Sequence, residues 1–202
     1  MTGVQTCALP IFGNAGAARL QVDEALNLAP NAERNVRALA ALALARVGDT
    51  PRANGLADEL ATQFPSSALV QKYWLPSIRA EGALSKGNYR AAIEALQVTA
   101  PYDLADTPAS LIPVYVRAEA FLGAGQGDAA AMEFKKILQQ RGIVGNSILG
   151  ALGRLGLARA YSVSKDTSNA RRTYHDFFVV WKEADSDIPL LAKARAEFGV
   201  LK

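Results

Sequence analysis

The sequence predicts an all-α chain, an α-solenoid of antiparallel helical hairpins. Three observations carry that prediction. The chain aligns with itself at a fixed period. Apolar residues recur at helical spacing on either side of short glycine-centred turns. Ala, Leu and Arg are abundant while Val and Ile are sparse, a balance that favours helix over strand.

The period is read first. Arg79–Ala92, RAEGALSKGNYRAA, aligns without gaps to Arg117–Ala130, RAEAFLGAGQGDAA, with 7 of 14 positions identical and a spacing of 38 residues. The pattern returns at Ala41–Ala53 and Ala158–Ala170, so that the turn positions Gly48, Gly87, Gly125 and Lys165 lie 39, 38 and 40 residues apart. In the first full unit, Val36, Leu39, Leu42 and Leu44 form the apolar stripe of a first helix. Gly48 follows it, where a left-handed C-cap conformation costs glycine least. Asp49 or Thr50 can cap the next helix, and Pro51 suits its first turn, where a missing N–H costs little. Ala53 allows close helix approach, Leu56 and Leu60 continue the stripe, and Pro65 closes the unit. The units span about 31–66, 67–103, 104–145 and 146–184. Residues 13–30 match the turn and second helix of a further unit at Gly13, Asn14, Ala18, Val22, Ala25 and Pro30. A closing helix is expected over 187–201, capped by Asp187, covering the end of the stack as a solenoid requires.

The first dozen residues stand apart. Thr2–Ile11, TGVQTCALPI, matches at every position the in-frame translation of a widely used short-read sequencing adapter. Residues 1–12 are therefore expected to be non-native, the chain to be an N-terminally truncated fragment, and Cys7, its single cysteine, to carry no biology.

The repeat resembles the tetratricopeptide repeat, whose second helix reads A-x3-F before a closing proline. The matching residues are Ala118, Phe121, Ala130 and Phe134 in the third unit and Ala158, Tyr161, Ala170 and Tyr174 in the fourth. The second unit has Ala80, Ala83, Ala92 and Leu96 in those places, without the aromatic. The period exceeds the family's, about 34 residues, and the excess falls in connections such as Tyr102–Thr107 and Gly142–Ser147. Three stretches, Tyr73–Ala80, Pro113–Ile143 and Trp181–Phe198, are similar to the C-terminal repeat region of bacterial proteins that carry a eukaryotic-type serine/threonine kinase domain, or in some a winged-helix regulator domain. The resemblance implies that any catalytic activity belongs to a part of the parent outside this chain.

Composition and motifs narrow the function classes. Net charge is only +3, from 22 basic and 19 acidic residues spread along the chain, without the basic face of a nucleic-acid binder. No apolar run approaches the ~18–20 residues of a membrane span. No Gly-rich loop with a strand lysine, H-R-D or D-F-G appears, so the chain is read as a non-enzyme. No cofactor or metal is expected: His175 is the single histidine, and Glu183, Asp185 and Asp187 lack the ligand number and glycine of a calcium loop. Gly123–Gly127, GAGQG, falls on an inter-helix turn and is read as a turn rather than a phosphate loop. Gly150, Gly153 and Gly156 are read as a close helix contact.

The expected partner is a protein or peptide in a concave groove lined by the first helices. The groove positions are Asn35, Ala38, Leu42 and Arg46; Trp74, Ser77, Glu81 and Leu84; Ile112, Tyr115, Glu119 and Leu122; and Leu152, Leu155, Arg159 and Ser162. Trp74 and Tyr115 are the expected anchors, since aromatics contribute disproportionately to interfaces; they suit inter-repeat core as well. Glu81 and Glu119 point to a basic or amide-rich ligand. The resulting expectation is an interaction scaffold, the docking or regulatory arm of a signalling protein. An oligomerisation or purely structural stack, or the sensor arm of a winged-helix regulator, is the alternative. The cytoplasm is the expected compartment, or the far side of the membrane if the parent spans it.

Overall fold

In a computed structural model of the chain, helices are the only regular elements among the described residues, which are 14–28, 33–105, 107, 109–184 and 188–201. The chain is therefore all-α. The readings of residues 1–12, of Gly13 and Pro30, and of Asp185 and Asp187, including the Asp187 cap, lie outside the described residues. Two compact units meet at Val116/Arg117, inside one helix.

The first unit begins with α1 (Ala15–Leu28), α2 (Arg34–Arg46) and α3 (Thr50–Gln63). Ala38 to Ala45 of α2 are all buried, because α1, α3 and the next hairpin pack around that helix. Asn14 Oδ1 accepts from the Ala17 N–H at 3.1 Å and caps α1, while Ala18 and Val22 are buried. Of the two expected cap residues, Asp49 and Thr50, Asp49 stands at the N-cap of α3, but its side chain makes no cap hydrogen bond. Its carboxylate lies 3.7 Å from Arg52 and 4.0 Å from Arg19.

A π-helical turn, Val70–Trp74, leads into α4 (Leu75–Leu84). Pro76 accounts for it: the ring lacks an N–H and clashes with the carbonyl four residues back, so the preceding turn widens, with the Leu75 N–H donating to Val70 O. After α5 (Tyr89–Ala95) the chain tightens into a 3-10 segment, Gln97–Tyr102. Pro101 cannot continue an α-helix, and Thr99, fully buried, turns its hydroxyl back to Leu96 O at 2.9 Å. The helix α6 (Ile112–Gly123) carries the boundary between the units.

The second unit continues with α7 (Gly127–Gln139), the one-turn α8 (Arg141–Val144), α9 (Leu149–Val163), α10 (Thr167–Val180) and α11 (Pro189–Gly199). α9 packs on both α7 and α10. The three glycines of α9 are where α7 and the connection after it press closest. A Cβ on Gly156 would lie 2.2 Å from Phe134 Cζ, one on Gly153 3.3 Å from Leu138 Cδ2, and one on Gly150 3.0 Å from Val144 Cγ1. α11 closes the unit by burying Leu191 and Ala194 against Tyr174 and Phe177 of α10.

One local geometry recurs at four places. Gly48, Gly87, Gly125 and Lys165 adopt φ 77°, 70°, 74° and 61°. In each case the next residue's N–H donates five residues back at 2.9 Å: Asp49 to Leu44 O, Asn88 to Ala83 O, Gln126 to Phe121 O and Asp166 to Tyr161 O. That bond, closing over a left-handed residue, is the usual way to end a helix without orphan carbonyls. Seven residues before each turn stands a fully buried alanine, Ala41, Ala80, Ala118 or Ala158. Five after it stands another, Ala53, Ala92, Ala130 or Ala170, at most 1% exposed. Only alanine-sized side chains let the flanking helices approach at these points.

Candidate functional site

The expected groove residues divide between the units, and each unit treats them differently. In the first, Arg46 at the end of α2 reaches Glu81, one turn from the end of α4, with Nη2 2.7 Å from Oε1. The Arg46 guanidinium also stands over the Tyr115 ring of α6, 5.8 Å from its centroid, at cation–π range. Arg46, Glu81 and Tyr115 thus meet in one cluster drawn from three successive first helices. Side-chain exposure is 18% for Arg46 and 6% for Glu81. Glu81 is therefore not the free acidic point that the sequence suggests, because its charge is matched by Arg46.

Trp74, expected as a contact anchor, is fully buried. Its indole packs edge-on against Tyr73, centroids 5.2 Å apart at 82°, and its Nε1–H finds no acceptor among the described residues. Tyr115 is 5% exposed. Trp74 belongs to the core cluster of the first unit, and Tyr115 is likewise buried. Ser77 is fully buried too, its hydroxyl donating to Tyr73 O at 2.6 Å. Ile112 is half-buried and packs against the same core. Tyr73 donates its hydroxyl to Ala109 O at 2.6 Å, pinning the chain before α6. Burial, the largest cause, pushes the Tyr73 phenol up to about 12.

In the second unit Glu119 is half-buried on α6. Leu155, 1% exposed, belongs to the cluster under α11. Arg159 is committed to the closing helix: its Nε donates to Glu197 Oε2 at 2.8 Å, and the Tyr174 hydroxyl donates to the same oxygen at 3.0 Å. Burial, followed by the Glu197 charge, raises the Tyr174 phenol. One carboxylate thus ties α9, α10 and α11 together. Of the expected groove positions, Trp74, Ser77, Tyr115 and Leu155 are thus buried, and Glu81 and Arg159 are each engaged in an ion pair. Ile112 and Glu119 keep part of their surface, as do Leu84, Leu122 and Ser162.

Sequence reasoning missed a buried ion pair. Arg117 Nε and Nη2 donate to Glu133 Oε2 at 2.9 and 2.7 Å, with side-chain exposures of 8% and 9%. Lys136 Nζ lies 2.5 Å from the other carboxylate oxygen. The repeat alignment places Arg79 at the position of Arg117, yet Arg79 is exposed. The alignment held a signal for this difference, since the position equivalent to Glu133 in the second unit of the repeat is Ala95. Among the described residues no group of three His, Cys, Asp or Glu could hold a metal. His175 lies on the exposed face of α10. Gly123–Gly127 forms the α6–α7 turn, and Gly127 backs onto α9, where a Cβ would lie 2.4 Å from Ser164 Oγ. No helix is long and apolar enough to cross a membrane among the described residues.

Compared with known protein families, with curated proteins and with solved structures, the chain matches none.

Proposed function

We propose that this chain is a protein-interaction scaffold built as a tetratricopeptide-type stack of helical hairpins, the binding or regulatory arm of a bacterial signalling protein such as a serine/threonine kinase. The observation that carries the reading is the four-fold recurrence of one turn with its two flanking buried alanines. A chain that repeats one supersecondary unit offers a series of equivalent helix faces, and such faces suit extended protein ligands. The exposed or half-buried side chains on the first helices, rather than their aromatic residues, are the contact positions in this reading.

Selection of displayed peptides on the full chain tests it. Variants Leu84→Arg, Leu122→Arg and Ser162→Arg are then compared with wild type one at a time. Each places a long cation on a half-buried position of a first helix. Selected peptides are expected to lose affinity for at least one of these variants while the helical circular dichroism and melting temperature hold. Peptides that bind all three undiminished, or a selection that yields no binder, refute the reading.

A further inference from the structure

The connection between α7 and α9, where the period runs long, encloses a cleft. Its volume is about 730 Å³ and it lies wholly within the second unit. The size is within the range of small-molecule sites, roughly 300–1,000 Å³. Its apolar wall comes from Leu138, Val144, Val180 and Trp181. Val180 is 51% exposed, a large aliphatic surface left open beside the half-buried indole of Trp181.

The polar side of the cleft carries Arg141 and Arg154, and among the described residues no Asp or Glu lines it. Elsewhere in the unit Arg117 and Arg159 are each held by a carboxylate. Neither cleft arginine forms an ion pair among the described residues. Arg154 gives one N–H, from Nη1, to Gly150 O at 2.7 Å; a guanidinium has five. Arg141 is exposed.

The attraction rests on these side chains and not on the start of α9. The Leu149 amide donates to Ser147 Oγ at 3.3 Å, the Gly150 amide to Ser147 O at 3.1 Å, and the Ala151 and Leu152 amides to Ile148 O at 3.0 Å. The donors of that helix end are therefore in use. Two guanidiniums facing one cleft repel each other, and an oxyanion bound in their planar forks relieves that repulsion.

We propose that this cleft binds an amphipathic organic anion. Its carboxylate or phosphate monoester is held by Arg141 and Arg154, and its apolar body lies on Leu138, Val180 and Trp181. The proposal is independent of the scaffold reading and survives its failure.

The probe is 8-anilinonaphthalene-1-sulfonate, titrated against the full chain by fluorescence, with neutral N-phenyl-1-naphthylamine as its uncharged counterpart. Wild type is expected to bind the sulfonate and to prefer it over the neutral probe. Arg141→Gln is expected to weaken binding at least about tenfold, since a hydrogen bond to a charged group contributes roughly 1.5–3 kcal/mol. Arg141 is exposed, so this variant tests the site without disturbing the core; Arg154→Gln is read beside it, with circular dichroism as the folding control. Displacement by 1-naphthoate or by 1-naphthyl phosphate then tells which head group the forks prefer. Three results each overturn the proposal: no sulfonate binding by wild type, equal affinity for the neutral probe, or undiminished affinity in Arg141→Gln.

Discussion

Replacing Gly156 by alanine sets two effects of opposite sign against each other. In the middle of a helix alanine is favoured over glycine by about 1 kcal/mol. The added Cβ, however, would stand 2.2, 2.3 and 2.7 Å from Cζ, Cε1 and Cε2 of Phe134. Phe134 is 1% exposed, so its ring has no solvent side to swing into. Overpacking a closed core costs typically 1–3 kcal/mol, and an overlap with three ring carbons belongs at the upper end. The net expectation is a loss of about 2 kcal/mol after the helix gain is subtracted. At roughly 2–4 °C per kcal/mol for a chain of this size, the melting temperature falls by about 4–8 °C. Gly82→Ala is the control: the same change inside α4, where a Cβ meets nothing within 4 Å, should raise stability by about 0.5–1 kcal/mol. Urea unfolding followed by circular dichroism and by tryptophan emission measures both. Phe134→Leu in the Gly156→Ala background should recover part of the loss, because the two changes share one contact. A Gly156→Ala protein as stable as wild type refutes the packing argument, for it would mean that the Phe134 ring does not seat on Gly156.

Other expectations follow from the buried polar groups and the caps. Glu133→Gln leaves the Arg117 charge buried at 8% exposure and should cost about 3 kcal/mol, whereas the paired change Arg117→Met with Glu133→Leu should recover most of it; a single variant within about 1 kcal/mol of wild type, measured by urea midpoint, contradicts this. For Tyr73 the folded phenol, pushed up to about 12, holds its proton more tightly than the unfolded one at 10.0. Its stabilising contribution is complete below pH 10 and is lost as pH rises from 10 towards 12, at up to about 1.4 kcal/mol per pH unit. The urea midpoint should therefore drop across this window, and Tyr73→Phe should flatten the drop; an unchanged slope counts against a buried, protonated Tyr73. Asn88→Ala removes the cap that accepts from the Ala91 N–H at 3.2 Å and should cost about 0.5–2 kcal/mol in thermal melts, while substitution to Gly should cost only a few tenths.

Much of the local architecture was legible in the residues. Gly48, Gly87 and Gly125 mark their turns because a helix that ends in a left-handed residue excludes most side chains with a Cβ. Lys165 adopts the same conformation at φ 61° without being glycine, and only its spacing reveals it. The alanines on either side are legible for a similar reason, since a position that must stay small shows in every unit. Leu111 was not legible: it is 1% exposed at φ 68° just before α6, and nothing local marks it. The Val70–Trp74 π-helical turn is explained by Pro76 only after the fact, because a proline can as well end a helix as widen the turn before it.

The candidate site was legible in part. Arg46, Glu81 and Tyr115 were all placed on the first helices, but they stand two, six and ten residues before their turns, so neither their meeting nor their roles follow from repeat equivalence. An aromatic such as Trp74 reads identically as an interface anchor or as core until the neighbouring helices are placed around it. The partner of a charge is no more local: Glu81 lies 35 residues from Arg46, Glu133 16 from Arg117 and Glu197 38 from Arg159. Sequence alone thus determined the helical class, the period, the turns and the small contact positions, because backbone conformation and close approach limit the residue at the position itself. The tertiary structure decided which first-helix side chains are buried, which carboxylate answers Arg46, Arg117 and Arg159, and that Arg141 and Arg154 share a cleft with no carboxylate lining it among the described residues. Burial and ion pairing are set by whatever the fold brings alongside from distant parts of the chain, and no single stretch of residues encodes that.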